Sequence, residues 1–187
     1  ENTPLDQDVA LDPELLGKVF ENLLAAYNPE TEKTVRKSTG SYYTPRPIVQ
    51  YMVDESLVAY LKKTVANIDE ATIRSLLSYS DDDEASTLNE QQTHDIVEAI
   101  FNCKVLDPAC GSGNFLTETY LSLRRLENEA IELMTNGQMV LGDFIPIKVK
   151  ISQFYGIEIN DFAVTVVKTA LWIAESQMMQ KTEEIMY

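Results

Sequence analysis

Hydrophobic residues fall at helical spacing through the first hundred positions, and strand-like runs enter only after that. In LDPELLGKVFENLLAAY, residues 11–27, Leu15, Leu16, Val19, Phe20, Leu23, Leu24 and Tyr27 form one stripe. Asp12 suits a helix N-cap and Pro13 the first helical position. Gly17 is the weak point of this helix. The stripe is expected to dock on the rest of the domain or on a neighbour. NPETEKTVRKSTG, residues 28–40, reads as a polar loop, and Lys33, Arg36 and Lys37 make it the densest basic cluster. In SYYTPRPIVQYMVDESLVAYL, Pro45 and Pro47 end an extended piece and open a helix. Ile48, Tyr51, Met52, Glu55 and Val58 then lie on adjoining turns of it. Residues 69–79 and 88–101 predict two further helices, separated by the acidic stretch SDDDEAS.

From residue 104 the texture changes. KVLD is a short strand, and NFLTETYLSLRRLENEAIELM reads as a long helix. QMVLGDF is either a second short strand or apolar packing within a connection. QFYGIEI, residues 153–159, is the clearest strand after KVLD. Asn160 or Asp161 then opens a helix with Phe162, Val166, Ala170, Ile173 and Ala174 on one face. Strand–helix–strand–helix is the start of a parallel, doubly wound α/β sheet. No internal repeat and no low-complexity tract interrupts the order.

Composition narrows the class. A chain of 187 residues with 44% hydrophobic content can bury one sizeable core. The first residues, ENTPLDQDVALDPE, are acidic and polar, unlike a signal peptide or a membrane anchor. A soluble, cytoplasmic protein without membrane association is expected. Cys103 and Cys110 fit free thiols in a reducing compartment better than a disulfide. They make no metal pattern, and the single histidine, His94, sits in a polar stretch and reads as a surface residue. The net charge of −15, from 15 Lys+Arg against 30 Asp+Glu, repels phosphate backbones. Nucleic-acid binding would need basic elements that these residues lack.

The candidate chemistry lies in KVLDPACGSGNFL, residues 104–116. Ligands of open α/β sheets sit at the carboxyl ends of strands, beside the following helix N-termini. Gly111 and Gly113 permit a tight turn and close backbone approach to a ligand. Backbone N–H groups at Asn114 and Phe115, with the helix dipole, favour a carboxylate or phosphate. Asp107 at the strand end suits an ammonium or hydroxyl group and would repel a pyrophosphate. A phosphate-binding P-loop would need Lys and Ser/Thr after its last glycine, where Asn114 and Phe115 stand here. The dinucleotide fingerprint would need a third glycine, where Leu116 stands. An acid, a small-residue turn and an anion-binding helix together suit a zwitterion, such as the methionine part of S-adenosylmethionine. Glu158, at the end of the next clear strand, is placed to accept from ribose hydroxyls. It follows Asp107 by 51 positions, well beyond the roughly 20 of a minimal dinucleotide unit. An insertion around 127–152 is expected to account for the difference.

LDPACGSGNFL resembles motif I of S-adenosylmethionine-dependent DNA adenine-N6 methyltransferases. YGIEINDFAVTVVKTALWIAE resembles their motif II and its helix, and TGSYYTPRPIVQYMV their motif X. The order X, I, II is similar to that of the large single-chain restriction–modification enzymes (type IIG, MmeI-like), over roughly residues 11–180. The resemblance implies an α/β fold: a mainly helical segment at 1–101, with motif X at 41–53, then the first part of a Rossmann-like cofactor domain at 102–187. It implies S-adenosylmethionine as cofactor. Tyr43 and Thr44 match the cofactor-contacting part of motif X. Asp107, Pro108, Ala109, Gly111 and Gly113 match the methionine-binding loop, with Asn114 and Phe115 at its helix. Glu158 matches the ribose-binding acid and Ile159 the apolar residue beside the adenine.

The departures are equally informative. The family's catalytic Asn/Asp-Pro-Pro-aromatic sequence does not occur in these residues, and no basic target-recognition region is present. Gly142-Asp143-Phe144 imitates motif III but precedes Glu158. The expectation is a truncated, cofactor-binding portion of an adenine-N6 methyltransferase, inactive alone, with no nameable catalytic residue. Double-stranded DNA would be bound through regions missing from this chain. A methyltransferase for RNA, protein or small molecules is the first alternative. A non-catalytic assembly module and, against Leu116 and the long gap, a nicotinamide-dependent oxidoreductase are the others. The oligomeric state stays open.

Overall fold

The computed structural model describes residues 13–24, 27–28, 33–34, 44–77, 88–135 and 147–186. Helix α1 (Pro13–Leu24) starts at the expected proline but stops short of Tyr27. Tyr27 instead begins β1 (Tyr27–Asn28), which pairs antiparallel with β2 (Lys33–Thr34). Asn28 precedes Pro29, and a residue before proline is driven out of the helical region into extended backbone. The predicted polar loop therefore carries a short ladder. Of the predicted stripe, Phe20 is buried and Leu16 partly so, whereas Leu15 and Val19 are 54% and 48% exposed.

Helix α2 (Arg46–Thr64) takes Pro45 as its N-cap residue and holds Pro47 in its first turn. Proline is tolerated there because first-turn N–H groups have no intrahelical acceptor. Its buried face is Val49, Val53, Leu57, Val58 and Leu61. Of the residues that spacing sets on adjoining turns, Val58 belongs to that face, whereas Ile48, Tyr51 and Met52 are exposed. The helix is apolar on more than one side, so spacing alone does not select the buried row. Helices α3 (Glu70–Leu77) and α4 (Glu90–Asn102) follow. Asp69 Oδ1 accepts the Thr72 N–H at 2.9 Å, and Asn89 and Gln92 form a reciprocal capping box at the start of α4. SDDDEAS lies outside the described residues.

Strand β3 (Val105–Asp107), helix α5 (Asn114–Thr135) and strand β4 (Phe154–Gly156) make a parallel strand–helix–strand unit. Val105 pairs with Phe154 and Asp107 with Gly156. Helix α6 (Asp161–Met186) completes the described chain. The strand predicted over 153–159 is shorter, because Ile151–Gln153 forms a 3-10 turn before it. Beyond β4 the pairing persists irregularly: Ile157 N–H donates to Asp107 O at 2.9 Å, and Cys110 N–H donates to Ile157 O at 3.0 Å. Among the described residues this parallel sheet has two strands, an α/β unit without the wider doubly wound sheet. QMVLGDF and Asp143 lie outside those residues.

Part of the expected insertion is helix, since α5 continues through residues 127–135. A buried polar network holds that extension. Arg124 pairs with Glu127, both buried, and donates to the Thr182 hydroxyl of α6 at 2.6 Å. Glu127 in turn accepts the backbone N–H groups of Lys148 and Val149. The returning segment that leads into β4 is thereby fixed to α5. One apolar cluster, including Val53, Leu61, Ile73, Ile96, Leu123 and Met178, joins α2 to α6. Each such side chain contributes about 1.5–3 kcal/mol by leaving water. No described helix is long and apolar enough to cross a membrane. His94 is exposed on α4.

Candidate cofactor site

The chain leaves β3 at Asp107 and turns back through six residues, 108–113, to reach α5. Asp107 Oδ1 accepts the Ala109 N–H at 3.0 Å, which fixes the first bend. No described residue donates to its Oδ2. Pro108 and Ala109 are exposed, and Pro108 shares a cavity lining with Asp107 and Phe115. Gly111 and Gly113 have φ of 53° and 90°, a region that L side chains avoid. Gly113 N–H then donates to Cys110 O at 2.8 Å.

The two glycines serve different ends. A Cβ on Gly113 would stand 2.1 Å from Val167 Cγ2 of α6. Close helix packing, rather than ligand approach, requires glycine there. Gly111 donates its N–H to Glu158 Oε2 at 2.9 Å, while Glu158 Oε1 accepts the Asn160 N–H at 2.8 Å. Glu158 thus ties the glycine loop to the turn before α6, a role that sequence spacing did not reveal. Its lone pairs remain numerous enough to accept from a ligand as well. Asn160 is the N-cap of α6, its Oδ1 accepting the Phe162 N–H at 3.0 Å.

Helix α5 begins directly after Gly113, which has no side chain to cap it. Thr117 N–H makes the first helical bond, to Gly113 O at 2.8 Å. No described side chain accepts from the N–H groups of Asn114 or Phe115, the usual condition of first-turn N–H groups in a helix. Asn114 and Phe115 are half-buried. Phe115 and Asp107 line a cavity of about 500 Å³ whose opposite wall is Met52, Val53 and Tyr60 of α2. Helix α2 thereby faces the end of β3 and the first turns of α5. Thr44, half-buried just before α2, is not part of that lining, and Tyr43 lies outside the described residues. Ile159 is 85% exposed beside Glu158.

Cys103 and Cys110 are both buried and free. Burial pushes the Cys110 thiol up, and the nearby carboxylates of Asp107 and Glu158 push it further. A thiol so placed stays protonated and unreactive. It packs against Gly156, where a Cβ would stand 2.7 Å from Cys110 Sγ. Gly156 escaped the sequence reading, although a glycine inside a strand signals such a close approach. Among the described residues, no three His, Cys, Asp or Glu side chains group as metal ligands.

A parallel strand–helix–strand unit with a glycine loop ahead of its helix places the described residues in the α/β class. Sequence comparison gives that class a family. Residues 83–186 match the family described as MmeI, DNA-methyltransferase domain, and the chain belongs to it. It is 49% identical over 87 residues to DNA methyltransferase A of Bacillus subtilis (strain 168), covering 46% of this chain and 10% of that protein. It is 28% identical over 174 residues to a putative type II restriction enzyme and methyltransferase of Methanocaldococcus jannaschii, covering 90% of this chain and 14% of that protein. The solved structure of the type IIL restriction-modification enzyme MmeI in complex with DNA superposes with a TM-score of 0.65 at 25% identity, over 93% of this chain and 20% of that one. The chain therefore spans only a small part of each of these relatives.

Proposed function

We propose that this chain is the cofactor-binding portion of a site-specific DNA methyltransferase that moves a methyl group from S-adenosylmethionine to adenine N6, within a restriction–modification system. One observation carries the reading. The bond between Gly111 and Glu158, with the pairing of β3 and β4, brings Asp107, Glu158 and the first turn of α5 to the same end of the strand pair.

The residues fit a zwitterion bearing a nucleoside. Asp107 Oδ2 suits the ammonium, and the N–H groups of Asn114 and Phe115 suit the carboxylate. Glu158 suits the ribose hydroxyls, with Ile159 beside the base. Tyr43, Thr44, Pro108 and Ala109 would complete the enclosure. S-adenosylmethionine supplies an activated methyl group on its sulfonium. This chain's part is to hold and orient that group, which is how a positioned site lowers a transfer barrier.

The relatives' names support DNA as substrate, and the match to a DNA-bound MmeI supports it further. Phosphate contacts would come from residues outside this chain, because its own charge of −15 opposes them. The target adenine would be turned out of the duplex to reach the site. Its catalytic partners lie elsewhere, since these residues contain no Asn/Asp-Pro-Pro-aromatic sequence. The test is to supply the full-length protein with DNA and methyl-labelled S-adenosylmethionine, then digest the DNA to nucleosides. Label in N6-methyl-2′-deoxyadenosine supports the proposal. Label in cytosine, or none in DNA, overturns it.

A further inference from the structure

Helix α1 lies outside the strand–helix–strand unit, yet it closes on both of that unit's loops. Gly17 is buried in the middle of α1, and a Cβ built there would stand 2.8 Å from Asn114 Oδ1 and 3.1 Å from Ser112 Oγ. One turn further on, the Phe20 ring meets Phe162 at 5.2 Å, tilted by 50°. Phe20, Leu16, Ala163 and Val166 form a cluster separate from the main core. A single face of α1 therefore rests on the first turn of α5 and on the first turn of α6. Those are the turns that follow Asp107 and Glu158.

Glycine weakens a helix interior relative to alanine, through backbone freedom in the unfolded chain and lost side-chain packing. Its presence in α1 calls for a compensating contact. The close approach to Ser112 and Asn114 is that contact, because a methyl there would push the Asn114 amide and the Ser112 hydroxyl aside. We propose that Gly17 is a positioning residue for the cofactor site: it lets the α1 backbone seat directly on the glycine loop and holds Asn114, with the first-turn N–H groups of α5, where a ligand carboxylate meets them. This rests on the S-adenosylmethionine reading above. Gly17 touches no ligand and acts only through Ser112 and Asn114.

A merely structural glycine and a positioning glycine respond oppositely to alanine. In the full-length protein, Gly17→Ala is expected to weaken S-adenosylmethionine binding about tenfold by titration calorimetry. Its thermal midpoint should stay level or rise, because alanine strengthens the helix itself. Lys18→Ala, exposed on the same helix, should change neither quantity. The loss should shrink when Gly17→Ala is made in an Asn114→Ala background, which removes the clashing amide and also keeps the test usable if the single variant folds poorly. Unchanged affinity in Gly17→Ala overturns the inference, as does an equal loss in both backgrounds. Wild-type protein that binds no S-adenosylmethionine overturns the cofactor reading and this inference together.

Discussion

Glu158 holds Gly111: the Gly111 N–H meets Glu158 Oε2 at 2.9 Å, across 47 positions of sequence. The acid that the family resemblance assigns to the ribose is also the tie between the glycine loop and the turn before α6. Glu158→Gln exchanges one charged acceptor for an N–H donor that faces a backbone N–H. A hydrogen bond to a charged group contributes about 1.5–3 kcal/mol. Cofactor affinity should therefore fall about 10- to 100-fold, with a small drop in the unfolding midpoint. Calorimetry and thermal unfolding on the same samples read both, and an affinity equal to wild type would sink the assignment.

Gly113 answers to α6. Gly113→Ala places a methyl 2.1 Å from Val167 Cγ2 at a φ of +90°, so overpacking and backbone strain add. The expected destabilisation is about 3 kcal/mol. Val167→Ala in the same chain should restore part of it, leaving the backbone strain. Denaturant unfolding checks this, and a single variant as stable as wild type would refute the packing account.

Arg124 and Glu127 should behave as a unit. Arg124→Met leaves the Glu127 carboxylate buried without its ion partner, at a cost of about 3–5 kcal/mol. Adding Glu127→Gln removes that stranded charge, and the double variant should be less damaged than the two single effects summed. The carboxamide also keeps an acceptor for the Lys148 and Val149 N–H groups. Strictly additive losses would contradict the network.

Asp54 on α2 gives a pH signature. Burial holds its carboxyl above the ordinary aspartate range, and Glu118 of α5 and Glu55 of α2 add to the rise, against Arg125 of α5 and Arg74 of α3. Its Oδ1 is buried with no hydrogen-bond partner among the described residues. Below the ordinary range both folded and unfolded chains are protonated here. As pH rises through the window up to the raised value, the unfolded chain sheds its proton first, so the folded state loses stability. Asp54→Asn escapes that loss. Its midpoint should exceed wild type by more at about pH 7 than at about pH 4, and a gap independent of pH would refute the assignment. The exposed acids Glu55, Asp69 and Glu70 are held low by their partners and act in the opposite sense. They are common to both proteins and cancel in the comparison.

The sequence was legible where one residue's conformation decides the outcome. Pro13, Pro45, Pro47, Asn160 and the Gly111–Gly113 turn fall where local chemistry puts them. It was silent or misleading where tertiary packing chose between equals. In α2 two apolar rows compete, and only the neighbours select Val49, Val53 and Leu57 over Ile48, Tyr51 and Met52. Tyr27 continued the apolar stripe of α1, but Pro29 pulled its neighbour into extended backbone. The loop acids were found as acids, and the bond from Gly111 to Glu158 was not, because no spacing rule links positions so far apart. Gly17 looked like a defect in a helix until Ser112 and Asn114 were seen beneath it.

Titration of S-adenosylmethionine into the folded protein tests the central claim most directly, with nicotinamide adenine dinucleotide as the comparison. The account predicts one site per chain for S-adenosylmethionine, weakened by Glu158→Gln, and no heat above dilution for the dinucleotide. Binding of the dinucleotide in preference, or S-adenosylmethionine binding indifferent to Glu158, would contradict it.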